Sequence, residues 1–174
     1  PLLLDKPGPL TGGPPRVVDV VAAPDVKPAE VLRLAASLDQ YSPHILARAI
    51  VDAARERGLV LSVPSDVTEE PGRGPTGNVD GHRISVGRAD TTGARPAWAR
   101  AADNRALLDG AAVAWLTVDG RLAGAVLLRD PLRRDVPRTL RHLRAAGIER
   151  LLMLTGDRAA PAREVAAVLG LDGV

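Results

Sequence analysis

The ten residues from Leu2 to Thr11, LLLDKPGPLT, constrain this chain more than any other stretch. Three leucines run into Asp5 and Lys6 and then into a turn built from Pro7, Gly8 and Pro9, the composition of a buried strand that stops abruptly at a carboxylate. A matching pattern lies near the other end of the chain. Val136 to Ala146 has helical spacing, with Leu140 and Leu143 inward and Gly147 past its end. Arg150 to Leu154 is a short apolar strand, Thr155-Gly156-Asp157 its terminal turn, and Pro161 to Leu169 another helix. This alternation of strand and helix implies a parallel sheet, and Val174 falls where a further strand is expected to begin.

In open parallel sheets, ligands gather where the strands end at their carboxyl edge. Asp5 and Thr155 each follow such a strand. If the two strands are neighbours, the Asp5 carboxylate, the Thr155 hydroxyl and the nearby main-chain N–H groups meet at one edge, a nucleophile beside hydrogen-bond donors.

The segment between reads differently. Arg16 to Ala22 is a strand ended by Pro24. Ala29 to Gln40 is an amphipathic helix with Val31, Leu34, Ala35 and Leu38 on one side and Glu30 in its first turn. Ser42-Pro43 predicts the start of a second helix, with Leu46, Ala49, Ile50 and Ala53 on one face and a stop at Gly58. Short β-type segments follow at Leu59 to Val63 and Asp66 to Glu69, then a glycine-rich loop from Pro71 to Gly77. Asp80-Gly81 and Asp119-Gly120 each join two β-type runs, which predicts two tight hairpins. Ala94 to Asp109 holds a helix with an exposed basic face, and Asp130-Pro131 a hinge.

Composition narrows the function classes. The 174 residues make one large or two small domains, and 45% hydrophobic content is ample for a core. The longest apolar run, Ala111 to Leu116, is far short of the roughly 18 residues of a membrane span. Lys and Arg number 23 against 21 Asp and Glu, and aromatics make up 2%, so there is neither a strong net field nor a stacking surface for bases, and nucleic acid is not an expected partner. Cysteine is absent, which removes disulfides and thiolate metal sites and is compatible with the cytosol. The three histidines show no ligand spacing. The chain starts at Pro1 and reaches a candidate site by Asp5, which leads us to expect a piece of something longer.

Leu2 to Thr11 resembles the signature of P-type ATPases, an apolar strand delivering an aspartate followed by Lys-Thr-Gly-Thr-Leu-Thr. Asp5, Lys6, Gly8, Leu10 and Thr11 match, whereas Pro7 and Pro9 replace two threonines. Leu154 to Asp157 resembles the second phosphate-contacting motif of the same enzymes and, more broadly, of haloacid-dehalogenase-like phosphotransferases. Ser42-Pro43-His44-Ile45-Leu46-Ala47 is similar to the Ser-Glu-His-Pro-Leu-Ala motif of the heavy-metal-transporting branch, with Asp39 as the acid five residues earlier. Gly72-Arg73-Gly74 resembles the Gly-x-Gly of that nucleotide pocket, and Gly87-Arg88 stands where the family has Gly-Asn.

The resemblance implies an α/β protein in which a nucleotide-binding domain, an antiparallel sheet flanked by helices, is inserted in a partial haloacid-dehalogenase-like parallel-sheet domain. Residues 1–15 and 131–174 would form the phosphorylation domain and 16–130 the nucleotide-binding domain. Asp5 would accept the phosphoryl group, with Lys6 and Thr155 stabilising it and Thr155, Gly156 and Asp157 binding phosphate. Mg²⁺ would be held by Asp5 and the Pro7 carbonyl. Asp39, His44, Gly72, Gly74 and Arg88 would hold ATP. The expected partner is a transmembrane part of the same polypeptide, and the expected location is the cytoplasmic side of a cell membrane. Three other readings stay open: a non-catalytic nucleotide-binding or regulatory module, a free-standing phosphatase, and a structural domain without ligand. The phosphatase reading meets Pro7 where such enzymes carry a second acid.

Overall fold

A computed structural model describes residues 1–5, 10, 12–70, 73–88, 95–130, 135–155 and 159–174. The first half runs β1 (Leu2–Asp5), β2 (Arg16–Ala22), α1 (Pro28–Asp39), α2 (Ile45–Glu56), β3 (Ser65–Glu70), β4 (Gly74–Val79) and β5 (His82–Gly87). The second half runs α3 (Ala97–Asp109), β6 (Ala112–Val118), β7 (Arg121–Arg129), α4 (Val136–Ala145), β8 (Leu151–Leu154) and α5 (Ala159–Leu169). Two compact units result. One comprises Pro1–Pro14, Leu107–Gly110 and Asp130–Val174, the other Pro15–Ala106 and Ala111–Arg129.

In the first unit β1 and β8 are parallel neighbours, with Leu2, Leu3, Leu4 and Asp5 opposite Leu151, Leu152, Met153 and Leu154. The chain end adds a parallel bridge between Leu152 and Gly173 on the same strand, where the sequence predicts a further strand to begin. Leu10, Val136, Leu140, Leu151, Met153, Ala162 and Ala166 form the core. Arg144 ties the start of β8 to the chain end: its guanidinium donates to the carbonyls of Glu149 and Gly170 and to Asp172, whose carboxylate also accepts the Leu151 amide.

The second unit is a six-stranded antiparallel sheet in the order β2-β7-β6-β5-β4-β3. Side chains of adjacent strand residues point to opposite faces, and the apolar runs obey this. Ala114, Leu116, Val126 and Leu128 pack with α1 and α2 on one face. Trp115, Ala125 and Leu127 pack with Ala99, Ala102 and Ala106 of α3 on the other. Both predicted hairpins form, each with the aspartate and the glycine at positive φ: 51° and 81° at Asp80-Gly81, 48° and 78° at Asp119-Gly120. That is the backbone sense of the turn that follows the natural twist of a two-residue hairpin.

Three sequence expectations are corrected. The second helix starts at Ile45, because His44 keeps an extended backbone (φ −68°, ψ 140°) as its cap, and Ser42 accepts the His44 amide at 3.4 Å. Its buried residues are Ala47, Ala49, Ile50, Val51 and Ala54, while Leu46 is exposed. Leu59 to Val63 is not a strand. Its backbone is taken by α1 instead: the Ser62 amide donates to Ser37 Oγ at 3.1 Å, and Gln40 donates to the Ser62 carbonyl at 2.8 Å. The predicted glycine-rich loop is largely strand, since β4 runs from Gly74 and pairs on both sides. The predicted hinge residue Pro131 lies outside the described residues.

Candidate functional site

The parallel register of β1 and β8 places Asp5 opposite Leu154, so Thr155 is the residue that leaves the sheet beside it. Both groups therefore stand at the carboxyl edge of one parallel pair. Asp5 is exposed and Thr155 half-buried. Lys6, Pro7, Gly156 and Asp157, expected to complete this edge, lie outside the described residues. Among the described residues there is no group of three or more His, Cys, Asp or Glu side chains that could hold a metal ion. Mg²⁺ characteristically takes one or two carboxylates and completes its shell with water and substrate phosphate oxygens. The exposed carboxylate of Asp5 at its strand end fits that role together with a substrate phosphate.

In the second unit the candidate residues gather at one end of the sheet. Asp39 ends α1 and is buried, with 3% of its surface exposed. Burial pushes its carboxyl up to about 7, and the negative charge of Glu69 adds to the shift. Near neutral pH it is therefore partly a neutral acid, able to donate as well as accept a hydrogen bond. In the connection that follows, His44 caps α2 with its ring exposed, and Nε2 lies 2.9 Å from Oε1 of Glu69. Glu69 thus touches both predicted nucleotide residues, one through a contact and one through its charge. The sequence reading passed over it. Its only signal was an acid within an edge strand, just ahead of the Gly72-Arg73-Gly74 stretch.

Gly74 begins β4 opposite Glu70. A Cβ on Gly74, whose φ is +96°, would stand 2.1 Å from the carbonyl oxygen of Val86, and a Cβ on Gly87 would stand 2.0 Å from that of Arg73. The glycine at 74 is therefore demanded by strand-to-strand packing in its own right. Arg88 leaves β5 next to Gly87 and is exposed. Asp39, His44, Gly74 and Arg88 are thus carried by the α1–α2 connection and the adjoining ends of β4 and β5, whereas Gly72 lies outside the described residues.

An open groove of about 700 Å³ lies elsewhere in this unit, lined among others by Lys27, Glu30, Arg33, Asp80, His82 and Asp119, none of them a predicted site residue. Its charges largely cancel within the wall. Arg33 donates to Glu30 at 2.7 and 2.8 Å, to Asp80 at 2.8 Å and to Ser62 at 3.0 Å. His82 Nδ1 lies 2.7 Å from Asp119, whose other oxygen accepts the Arg83 amide. These bonds hold the carboxyls of Glu30, Asp80 and Asp119 below the usual range, the hydrogen bond to Arg33, to Ser62 and to His82 respectively being the largest cause. A network so self-satisfied reads as a brace between α1, the loop at Ser62 and the two hairpins.

Comparison with known proteins agrees with the geometry. The family model of haloacid dehalogenase-like hydrolases matches residues 2–174. A copper-exporting P-type ATPase of Legionella pneumophila is 36% identical over 99% of this chain, which covers 24% of that protein. The crystal structure of a zinc-transporting PIB-type ATPase in its E2.Pi state superposes with a TM-score of 0.81 at 32% identity, over 99% of this chain and 28% of that one. The N-domain of HMA6, a copper-transporting P-type ATPase, matches at 30% identity with a TM-score of 0.55, over 67% of this chain and all of that one. The chain thus spans about a quarter of the length of the curated relatives it matches. With the strand-end aspartate, the parallel partner strand and a family match over nearly every residue on the page, the chain belongs to the haloacid dehalogenase-like hydrolases, in the form these take in heavy-metal P-type ATPases.

Proposed function

We propose that this chain is the ATP-handling portion of a metal-cation-transporting P-type ATPase. The observation that carries the reading is the β1–β8 pair, which puts Asp5 and Thr155 at the same strand edge although the two strands come from opposite ends of the sequence. An oxygen of Asp5 bonds to the terminal phosphorus of ATP as the bond to ADP breaks, and water later cleaves the acyl phosphate to return the carboxylate and inorganic phosphate. Lys6, Thr155, Gly156 and Asp157 bind phosphoryl oxygens; Asp5 and the Pro7 carbonyl would hold Mg²⁺, which would supply charge neutralisation for the phosphoryl group. Residues 1–15 and 131–174 act as the phosphorylation domain and 16–130 as the nucleotide-binding domain. Asp39, His44, Gly72, Gly74 and Arg88 hold the nucleotide, His44 against the base. The cycle drives a metal cation through a membrane part of the polypeptide, with this portion on the cytoplasmic side.

Pro7 and Pro9 favour a second reading for the same pocket. Proline keeps its carbonyl but lacks an N–H, so relative to the P-type signature two hydroxyls and two main-chain donors are gone from the phosphoryl site. A nucleotide-binding module that phosphorylates slowly or not at all needs only the Asp39–His44 pocket. Calorimetric titration with Mg²⁺ and ATP tests the shared part of both readings. The chain binds ATP, and His44→Ala weakens binding about tenfold or more, in line with the roughly 1–3 kcal/mol of one stacking contact. Absence of binding in both proteins would leave only a structural domain.

A further inference from the structure

Glu69 is the one member of the Asp39–His44–Glu69 group that nothing in the nucleotide reading requires. Its Oε1 lies 2.9 Å from His44 Nε2, the histidine side chain being 70% and the glutamate 31% exposed. The histidine backbone is fixed as the cap of α2, its carbonyl accepting the Arg48 amide at 3.1 Å. Freedom is left only to the two torsions of the side chain, so the ring either meets the carboxylate or turns to something else. Glu69 itself sits within β3 opposite Pro75, on a strand whose next residue, Glu70, faces Gly74. Glu70 is occupied with Arg73 at 3.4 Å, which leaves Glu69 as the acid that reaches the ring.

We propose that Glu69 sets the nucleotide affinity of this pocket by competing with the base for the His44 ring. This rests on the reading of His44 as an adenine-nucleotide residue and adds a specific antagonist to it. A ring whose Nε2–H is held by the β3 carboxylate is fixed in one setting of its two torsions, and a purine that stacks on the ring in another setting must open the pair. Because the pair is exposed to water it is weak. It therefore acts as a shallow latch, open whenever ligand is abundant, and it lowers affinity without abolishing binding.

A four-protein titration with Mg²⁺ and ATP decides the matter: the chain itself, Glu69→Ala, His44→Ala and the double variant. Glu69 is partly exposed on an edge strand, so the substitution leaves the packed core intact. The expected result is that Glu69→Ala binds ATP about two- to fivefold more tightly, the range of an exposed ion pair. In the His44→Ala background the same change then has no effect, and the ring nitrogen resonances of His44 shift in ligand-free Glu69→Ala. An unchanged affinity in Glu69→Ala would overturn the competition while leaving the nucleotide reading intact. So would a gain that persists without His44, since the glutamate would then act only through its charge on the phosphates. Failure of all four proteins to bind would remove the nucleotide reading and this proposal together.

Discussion

Gly74 and Gly87 meet back to back, each occupying the space where a methyl group on the other would collide with a neighbouring carbonyl, at 2.1 Å from Val86 for one and 2.0 Å from Arg73 for the other. Their φ angles of +96° and +150° add backbone strain to any side chain placed there. Gly74→Ala and Gly87→Ala each destabilise this unit by about 2–4 kcal/mol, the range of overpacking combined with an incompatible backbone. The two tryptophans of the sequence, Trp98 and Trp115, are both in this unit with ring centroids 6.2 Å apart. The urea midpoint by tryptophan fluorescence therefore reports on it alone, and a midpoint shift under a tenth of the native value would contradict the packing.

Asp39 gives the same unit a pH dependence of definite sign. Its carboxyl stands at about 7 in the folded chain against an unperturbed 3.8, through burial and then the charge of Glu69. The folded state consequently binds the proton more tightly than the unfolded chain does. The cost of ionising Asp39 is absent below pH 4, grows as pH rises, and is complete above pH 7, amounting to about 4 kcal/mol. Asp39→Asn removes this slope and is more stable than the parent at pH 8. Glu30, Asp80 and Asp119 act in the opposite direction and in another window, since their lowered values cost stability only as pH falls below the ordinary carboxylate range. Urea melts at about pH 3, 6 and 8 separate the two effects.

Phosphorylation is expected to be slow. The full-length protein incubated with labelled ATP and Mg²⁺ and then quenched in acid takes up little label at Asp5, and Pro7→Thr with Pro9→Thr raises the rate by at least about tenfold, a modest share of what one lost donor costs at such sites. A rapid, stoichiometric, hydroxylamine-labile label in the unaltered protein would reject the idea.

Arg33 is the hub of the brace that holds the Ser62 segment to α1. Its planar fork donates to Glu30, Ser62 and Asp80 at once, a geometry that an ammonium does not reproduce. Arg33→Lys costs about 1 kcal/mol, discounted because the partner carboxylates are nearly half exposed. Faster amide exchange at Ser62, whose N–H donates to Ser37, accompanies it. Unchanged exchange would assign the segment's position to Leu59 and Leu61, which pack against the core, rather than to the fork.

What could be read from the residues followed from how local each determinant is. The hairpins at Asp80 and Asp119 were legible because two adjacent residues dictate the turn. The edge at Asp5 and Thr155 was legible because strand ends in parallel sheets face one way. Leu59 to Val63 misled because its alternation holds only from Leu59 to Leu61, with Leu59 and Leu61 inward and Val60 outward, and breaks at Val63, which is also outward; the α1 side chain of Ser37 and the adjoining Gln40 capture the backbone instead. β4 was hidden by its own glycines, which look like loop until β5 is seen pressing on them. Glu69 was invisible for the same reason: its meaning lies in a histidine 25 residues away.

The outermost pairing of the large sheet sets Arg16 opposite Arg129, so the first and last strands of that unit run side by side. A lobe whose two ends leave it a strand's width apart can be excised as a cassette, and a short linker can stitch its ends at little cost in chain entropy. The same closeness makes it indifferent to where in the sequence its host strands fall, so such a lobe can be spliced between two halves of another sheet without either losing its register.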